Sequence, residues 1–174
     1  KSELKSSKDS LMLFQRKENL PDPESVTGQL SSKIISLEGE LIMVEGELNS
    51  LFVVYEKLKS NPNRLEVYKL LPEMMGTSYE SALVGHINKL HELLEEKDDR
   101  LHKGTNTNSK IKLLNKKIQS KILLIQRSIE VIEERLVANA KVLRIAIRTN
   151  ENIFFQLPEK KMEYGRLKNV QDLN

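Results

Sequence analysis

The sequence predicts an all-α chain, an elongated antiparallel coiled-coil hairpin or small bundle, on three observations. Aromatic residues are only 5%, tryptophan is absent, and 7 glycines and 5 prolines in 174 residues are too few for the closely spaced turns of an all-β chain. A heptad repeat runs through Leu30, Ile34, Leu37, Leu41, Val44, Leu48, Leu51, Tyr55 and Leu58, whose spacings alternate four and three. A stretch free of proline and glycine, 109–155, carries an apolar stripe with a mean spacing of 3.6 residues, the period of a nearly straight helix.

Taken in order, the first helix is expected over about 2–18, on a modest stripe of Leu4, Leu11 and Phe14. It ends at Asn19-Leu20-Pro21-Asp22-Pro23, because proline removes a backbone donor and biases the residue before it away from helix. The heptad helix follows over 25–60, with Gly39 and Gly46 inside it marking close packing or weak spots. Asn61-Pro62-Asn63 breaks it, and Pro72 with Gly76 breaks the short apolar stretch after it.

Ser78 is placed to cap a third helix over 78–103, whose seam is Leu83, Ile87, Leu90, Leu94 and Leu101 with Lys97 in one core slot. Gly104-Thr105-Asn106-Thr107-Asn108 forms the hairpin tip, with Gly104 suited to the left-handed position after a helix. The return helix over 109–155 has the stripe Ile111, Leu114, Ile118, Ile122, Ile125, Ile129, Ile132, Leu136, Ala140, Leu143 and Ile147. A partial second stripe of Leu124, Val131, Val142 and Ile145 points to more than one neighbour. Leu157-Pro158 is expected to end that helix, and a last one to run over 159–174.

Charge agrees with the hairpin. Glu92, Glu95, Glu96, Asp98 and Asp99 precede the tip and Lys110, Lys112, Lys116, Lys117 and Lys121 follow it, so folding about Asn106 brings acidic and basic flanks together. Such exposed pairs contribute about 0 to 1 kcal/mol each, so they choose the pairing while the apolar stripes supply the stability.

The excess of 28 Lys and Arg over 25 Asp and Glu, with a pI near 9.0, is far from the concentrated charge of a nucleic-acid binder, and the lysine cluster lacks interleaved aromatics. Without cysteine there is no disulfide, no CxxC zinc site and no thiol nucleophile, which leaves the compartment open. No apolar run approaches the roughly eighteen residues that cross a bilayer. Beginning at Lys1 without a methionine and ending at Asn174 in a helical pattern, the chain is expected to be one helical region of a longer protein.

Chemistry is sparse. His86 and His91 are five apart, about 140° around a helix, and do not converge as a metal-binding i, i+4 pair does. The segment from His91 to Glu95 misses HExxH because it ends in glutamate. No glycine-rich phosphate loop occurs, and Glu133-Glu134 is a pair on a solvated face. These residues give no catalytic group, no metal ligand and no cofactor site, and the expectation is a protein that is not an enzyme.

The order of the elements resembles the periplasmic helical region of polysaccharide chain-length determinants, the polysaccharide co-polymerases that include exopolysaccharide export proteins and the membrane portion of bacterial tyrosine autokinases. Leu71-Pro72-Glu73-Met74-Met75-Gly76, followed by Leu83, Ile87, Leu90 and Leu94, is similar to that family's break and leucine-rich helix. Asn108, Ile111, Leu114 and Ile118 are similar to the opening of its return helix. The most specific likeness is Leu157-Pro158 through Glu163-Tyr164 to Arg166-Leu167, similar to LP-x-x-x-x-E-[YF]-x-R-L-x-R, with Asn169 where the motif ends in arginine.

The resemblance implies a non-enzymatic scaffold in the periplasm, anchored in the inner membrane by flanking segments. It would be a homo-oligomer that contacts a polysaccharide polymerase and an outer-membrane exporter, with no nucleic-acid partner. Its work would be to set polymer length or couple assembly to export. Two other readings of a helical hairpin are a periplasmic adaptor of a secretion or efflux system and a cytosolic coiled-coil spacer.

Overall fold

The computed structural model describes residues 9–15, 23–60, 70–102 and 108–172. Among them the structure is all-α, without a strand: α1 is residues 9–15, α2 Pro23–Ser60, α3 Leu71–Met74, α4 Glu80–His102 and α5 Asn108–Asp172. The chain divides into two compact units, one of residues 1–41 and 142–174 and one of residues 42–141.

The helical hairpin and bundle expected from periodicity are present in the second unit, built from the end of α2, α3, α4 and the first half of α5. Leu51, Val54 and Leu58 of α2, Leu83, Ile87 and Leu90 of α4, and Leu114, Ile118, Ile125 and Ile129 of α5 are buried. Each such side chain stabilises by about 1.5 to 3 kcal/mol on leaving water, so these stripes outweigh any surface ion pair. Val54 lies off the heptad stripe, and it is buried because a helix with two neighbours covers a wider face than a two-stranded seam does.

In the first unit, α5 buries Leu143, Ile147 and Leu157, whereas Leu30, Ile34, Leu37 and Leu41 of α2 are half-buried. The α5 stripe also takes in a polar residue, Asn150, 7% exposed, whose Nδ2 donates to the Ala146 carbonyl at 2.6 Å.

Several expectations are corrected. The helices expected over 109–155 and 159–174 are one, because α5 passes through Pro158 to Asp172. Pro158 is exposed and, having no amide proton, leaves the Phe154 carbonyl without its helical donor, while Leu157 beside it is buried and adds a tertiary contact to the turn. The heptad helix starts at Pro23 rather than residue 25, since proline suits the first helical turn, where no amide partner is required.

The third helix starts at Glu80, not Ser78, and Leu101 in its last turn is 47% exposed instead of closing the seam. Gly39 and Gly46 face open space, so they are weak spots and not close-packing points. The second α5 stripe, Leu124, Val131, Val142 and Ile145, is exposed. Of the first expected helix only 9–15 is described, and residues 2–8 and 16–18 lie outside the described residues, as do 103, 173 and 174 of later helices.

Candidate functional site

Two places carry the sequence-derived expectations, the hairpin of α4 with α5 and the motif on α5. At the tip, Gly104 and Asn106 lie outside the described residues, while Asn108 is the first residue of α5. Below the tip the apolar seam forms as expected over Leu83, Ile87, Leu90 and Leu94 on α4, and over Leu114, Ile118 and Ile122 on α5.

The acidic flank of α4 is exposed, and Glu92, Glu95 and Glu96 have partners along α4 itself. Lys89 pairs with Glu92, His91 Nε2 with Glu95 at 3.3 Å, and Arg100 with Glu96 at 2.8 Å. Residues three or four apart on one helix meet without any tertiary constraint, which is enough to bring these three pairs together. The hydrogen bond and charge of Glu92 hold the Lys89 ammonium above the ordinary lysine pKa. His102 Nδ1 lies 2.9 Å from the Asp98 carbonyl.

The approach to the hairpin is built by residues that local sequence patterns do not reveal. Glu47 of α2 accepts the Ser78 amide on Oε1 and the Ser78 hydroxyl on Oε2, both at 2.7 Å, and its own carbonyl accepts the Tyr79 hydroxyl at 3.2 Å. Tyr79 is fully buried, and burial pushes its phenol pKa up. A hydrogen bond with Thr77 opposes that shift, and the nearby Glu47 and Glu73 carboxylates add to it.

Gly76 takes φ +76°, a left-handed conformation that side-chain-bearing residues rarely adopt, and its amide donates to Glu80 Oε2 at 2.8 Å. Lys57 bridges from α2 to Glu73 of α3 at 2.8 Å. The stretch 71–76 is therefore a pinned corner: a short helix with Pro72 in its first turn, then a glycine that reverses the chain.

The motif residues all lie on α5. Leu157 is buried, Tyr164 and Leu167 are half-buried, and Pro158, Glu163, Arg166 and Asn169 are exposed. At i, i+3 spacing, Glu163 and Arg166 share one helix face. Phe154 and Phe155 meet edge to face just before the motif, with centroids 6.1 Å apart, and Phe155 is 74% exposed.

No protein-family model, curated protein or solved structure matches the chain. Among the described residues no group of three His, Cys, Asp or Glu side chains is placed to hold a metal ion, and no helix is long and apolar enough to cross a membrane. A groove of about 360 Å³ in the second unit is lined by Leu48, Leu51, Phe52 and Tyr55 of α2 and by Ile129, Glu130 and Glu133 of α5. The chemistry on offer is that of helix faces, which present apolar and charged side chains at fixed intervals.

Proposed function

We propose that this chain is the non-enzymatic, periplasmic coiled-coil scaffold of an inner-membrane polysaccharide co-polymerase, controlling chain length or coupling assembly to export of a surface polysaccharide. The observation that carries the reading is the placement of two of the motifs on one return helix. Asn108 opens α5, its stripe of Ile111, Leu114 and Ile118 follows, and Leu157 through Leu167 lies on the same continuous helix. In this reading, flanking segments anchor the chain in the inner membrane. The hairpin then works as a homo-oligomer that braces an export path between a polymerase and an outer-membrane exporter, and its contribution is geometric, so it needs no cofactor.

The test is deletion of the gene, with surface polysaccharide resolved by length on a gel and the intact gene returned as control. A shifted length distribution or reduced abundance, restored by the gene, is expected. An unchanged polymer profile accompanied by lost drug efflux or protein secretion overturns the reading in favour of a periplasmic adaptor hairpin.

A further inference from the structure

The groove between α2 and α5 in the second unit has two walls of different chemistry. Its base is apolar, made by Leu48 and Leu51 of α2 and Ile129 of α5, and the last two are almost fully buried. The α2 wall is aromatic: Phe52 and Tyr55 stand three residues apart and so share one helix face, with Phe52 61% exposed. The α5 wall is acidic: Glu130 and Glu133 have the same spacing, and both are exposed. Among the described residues no lysine, arginine or histidine lines the groove.

The two carboxylates are left without a counter-charge. Among the described residues neither Glu130 nor Glu133 takes part in a hydrogen bond or ion pair. The positions three and four residues from Glu133 are Ile129, Glu130, Leu136 and Val137, so its own helix offers it no cation. Glu130 has Arg127 three residues before it, but the two are not paired, and it meets like charge at Glu133 and Glu134 after it. Like charges at these spacings destabilise a helix. The acidic flank of α4 is the contrast, since Glu92 and Glu96 hold Lys89 and Arg100.

The surroundings do not change the sign of the groove. Next to its walls, Glu56 cancels Lys59 on α2, and Glu134 cancels Arg127 on α5, which leaves the charge to the two lining carboxylates. The aromatic wall is itself suited to a cation. Lys59 Nζ lies 6.0 Å from the centre of the Tyr55 ring, the outer limit of a cation–π contact, although Lys59 does not line the groove.

We propose that this groove binds a small organic cation, an ammonium or guanidinium group joined to an apolar body. The body lies on Leu48, Leu51 and Ile129, and the charged head is held between the rings of Phe52 and Tyr55 and the carboxylates of Glu130 and Glu133. Ring faces are electron-rich, so both walls attract a cation and both reject an anion of the same shape. The volume of about 360 Å³ lies at the small end of ligand sites, which selects a small molecule over a folded partner. The site is separate from the scaffold role proposed above, which uses no ligand.

The experiment titrates the isotope-labelled 174-residue chain with three probes that share a phenyl body and differ in the head: phenethylamine, phenethyl alcohol and phenylpropionate. Amide-resolved NMR locates and measures the binding. Phenethylamine is expected to shift the amides of Phe52, Tyr55, Glu130 and Glu133 saturably, with an affinity in about the millimolar range. It should bind about three-fold more tightly than the alcohol and about ten-fold more tightly than phenylpropionate, and added salt should narrow both differences.

In the chain carrying Glu130→Gln and Glu133→Gln together, the amine is expected to bind no better than the alcohol. Phe52→Ala should weaken the amine about five-fold. Circular dichroism checks that each variant keeps its helicity, and the comparison of the three probes on the unaltered chain tests the proposal without any variant. Phenylpropionate binding as tightly as the amine, a preference for the amine that survives both glutamine substitutions, shifts confined to other parts of the chain, or no saturable shift by about 20 mM amine overturns the proposal.

Discussion

The Glu47 carboxylate holds Ser78 by both of its polar hydrogens, the amide on one oxygen and the hydroxyl on the other, each at 2.7 Å. The two residues are 31 apart in sequence, and with the Tyr79 hydroxyl on the Glu47 carbonyl they lock the start of α4 to the flank of α2. A hydrogen bond contributes about 1 kcal/mol net, and less where water competes, as it does here. Glu47→Ala is therefore expected to lower the unfolding free energy by about 1 to 2 kcal/mol. Glu47→Gln, which keeps one acceptor, is expected to lose less. Urea unfolding monitored by circular dichroism measures both, and equal losses would show that the contact depends on charge rather than on acceptor number.

Tyr79 sets an alkaline limit. Burial favours its neutral phenol, so the folded-state pKa lies above the ordinary value of about 10. The stability this group contributes is complete below the unfolded pKa and is lost as pH rises from there through the folded pKa. The chain is expected to lose stability above pH of about 10, and Tyr79→Phe to lose less over the same range. Thermal melts of the two proteins across that window decide the matter, since parallel curves would remove Tyr79 as the cause.

Asn150 is a polar side chain in an apolar stripe, and its amide donates back to its own helix at Ala146. A polar residue at such a position costs stability and specifies pairing. Asn150→Leu is expected to raise the unfolding free energy by about 1 kcal/mol while loosening the choice of partner helix. Denaturation reads the first effect and a broader distribution of sedimenting species the second. A loss of stability would mean that the amide has a second partner in the folded chain.

Gly46 lies in the middle of α2, and a Cβ added there meets nothing within 4 Å. Alanine gains about 1 kcal/mol over glycine in a helix interior, so Gly46→Ala is expected to stabilise by about 0.5 to 1 kcal/mol, with a higher midpoint in urea. Gly76→Ala serves as the contrast: its φ of +76° makes the same substitution destabilising.

The apolar stripes were legible because their cause is local. Ile118, Ile125 and Leu136 recur at the helical period, and burial follows period wherever a neighbour is present. The same rule fails at Leu101, which has the spacing but sits in the last turn of α4, and at Val54, which lacks the heptad spacing but lies on a face with two neighbours.

Ser78 has the right chemistry for a cap and spends it on Glu47 instead, an acceptor that no local pattern can supply. Pro158 misleads for the opposite reason. The propensity rule describes an isolated turn, whereas Leu157, 3% exposed, adds a tertiary contact that carries the helix through. Of the expected site, Leu157 through Leu167 shares one helix with Asn108 where two helices were expected, while Glu92 and Glu96 pair with Lys89 and Arg100 along α4 and Glu95 lies 3.3 Å from His91.

The proline within α5 also gives that helix a preferred place to fray. With no proton on its nitrogen, Pro158 leaves one rung missing from the ladder, and opening the backbone there forfeits one bond fewer than elsewhere in the interior of the helix. Deuterium should enter the amides flanking this point ahead of those near Ile125 and Ile129, and an added protease should make its earliest cut in α5 beside it.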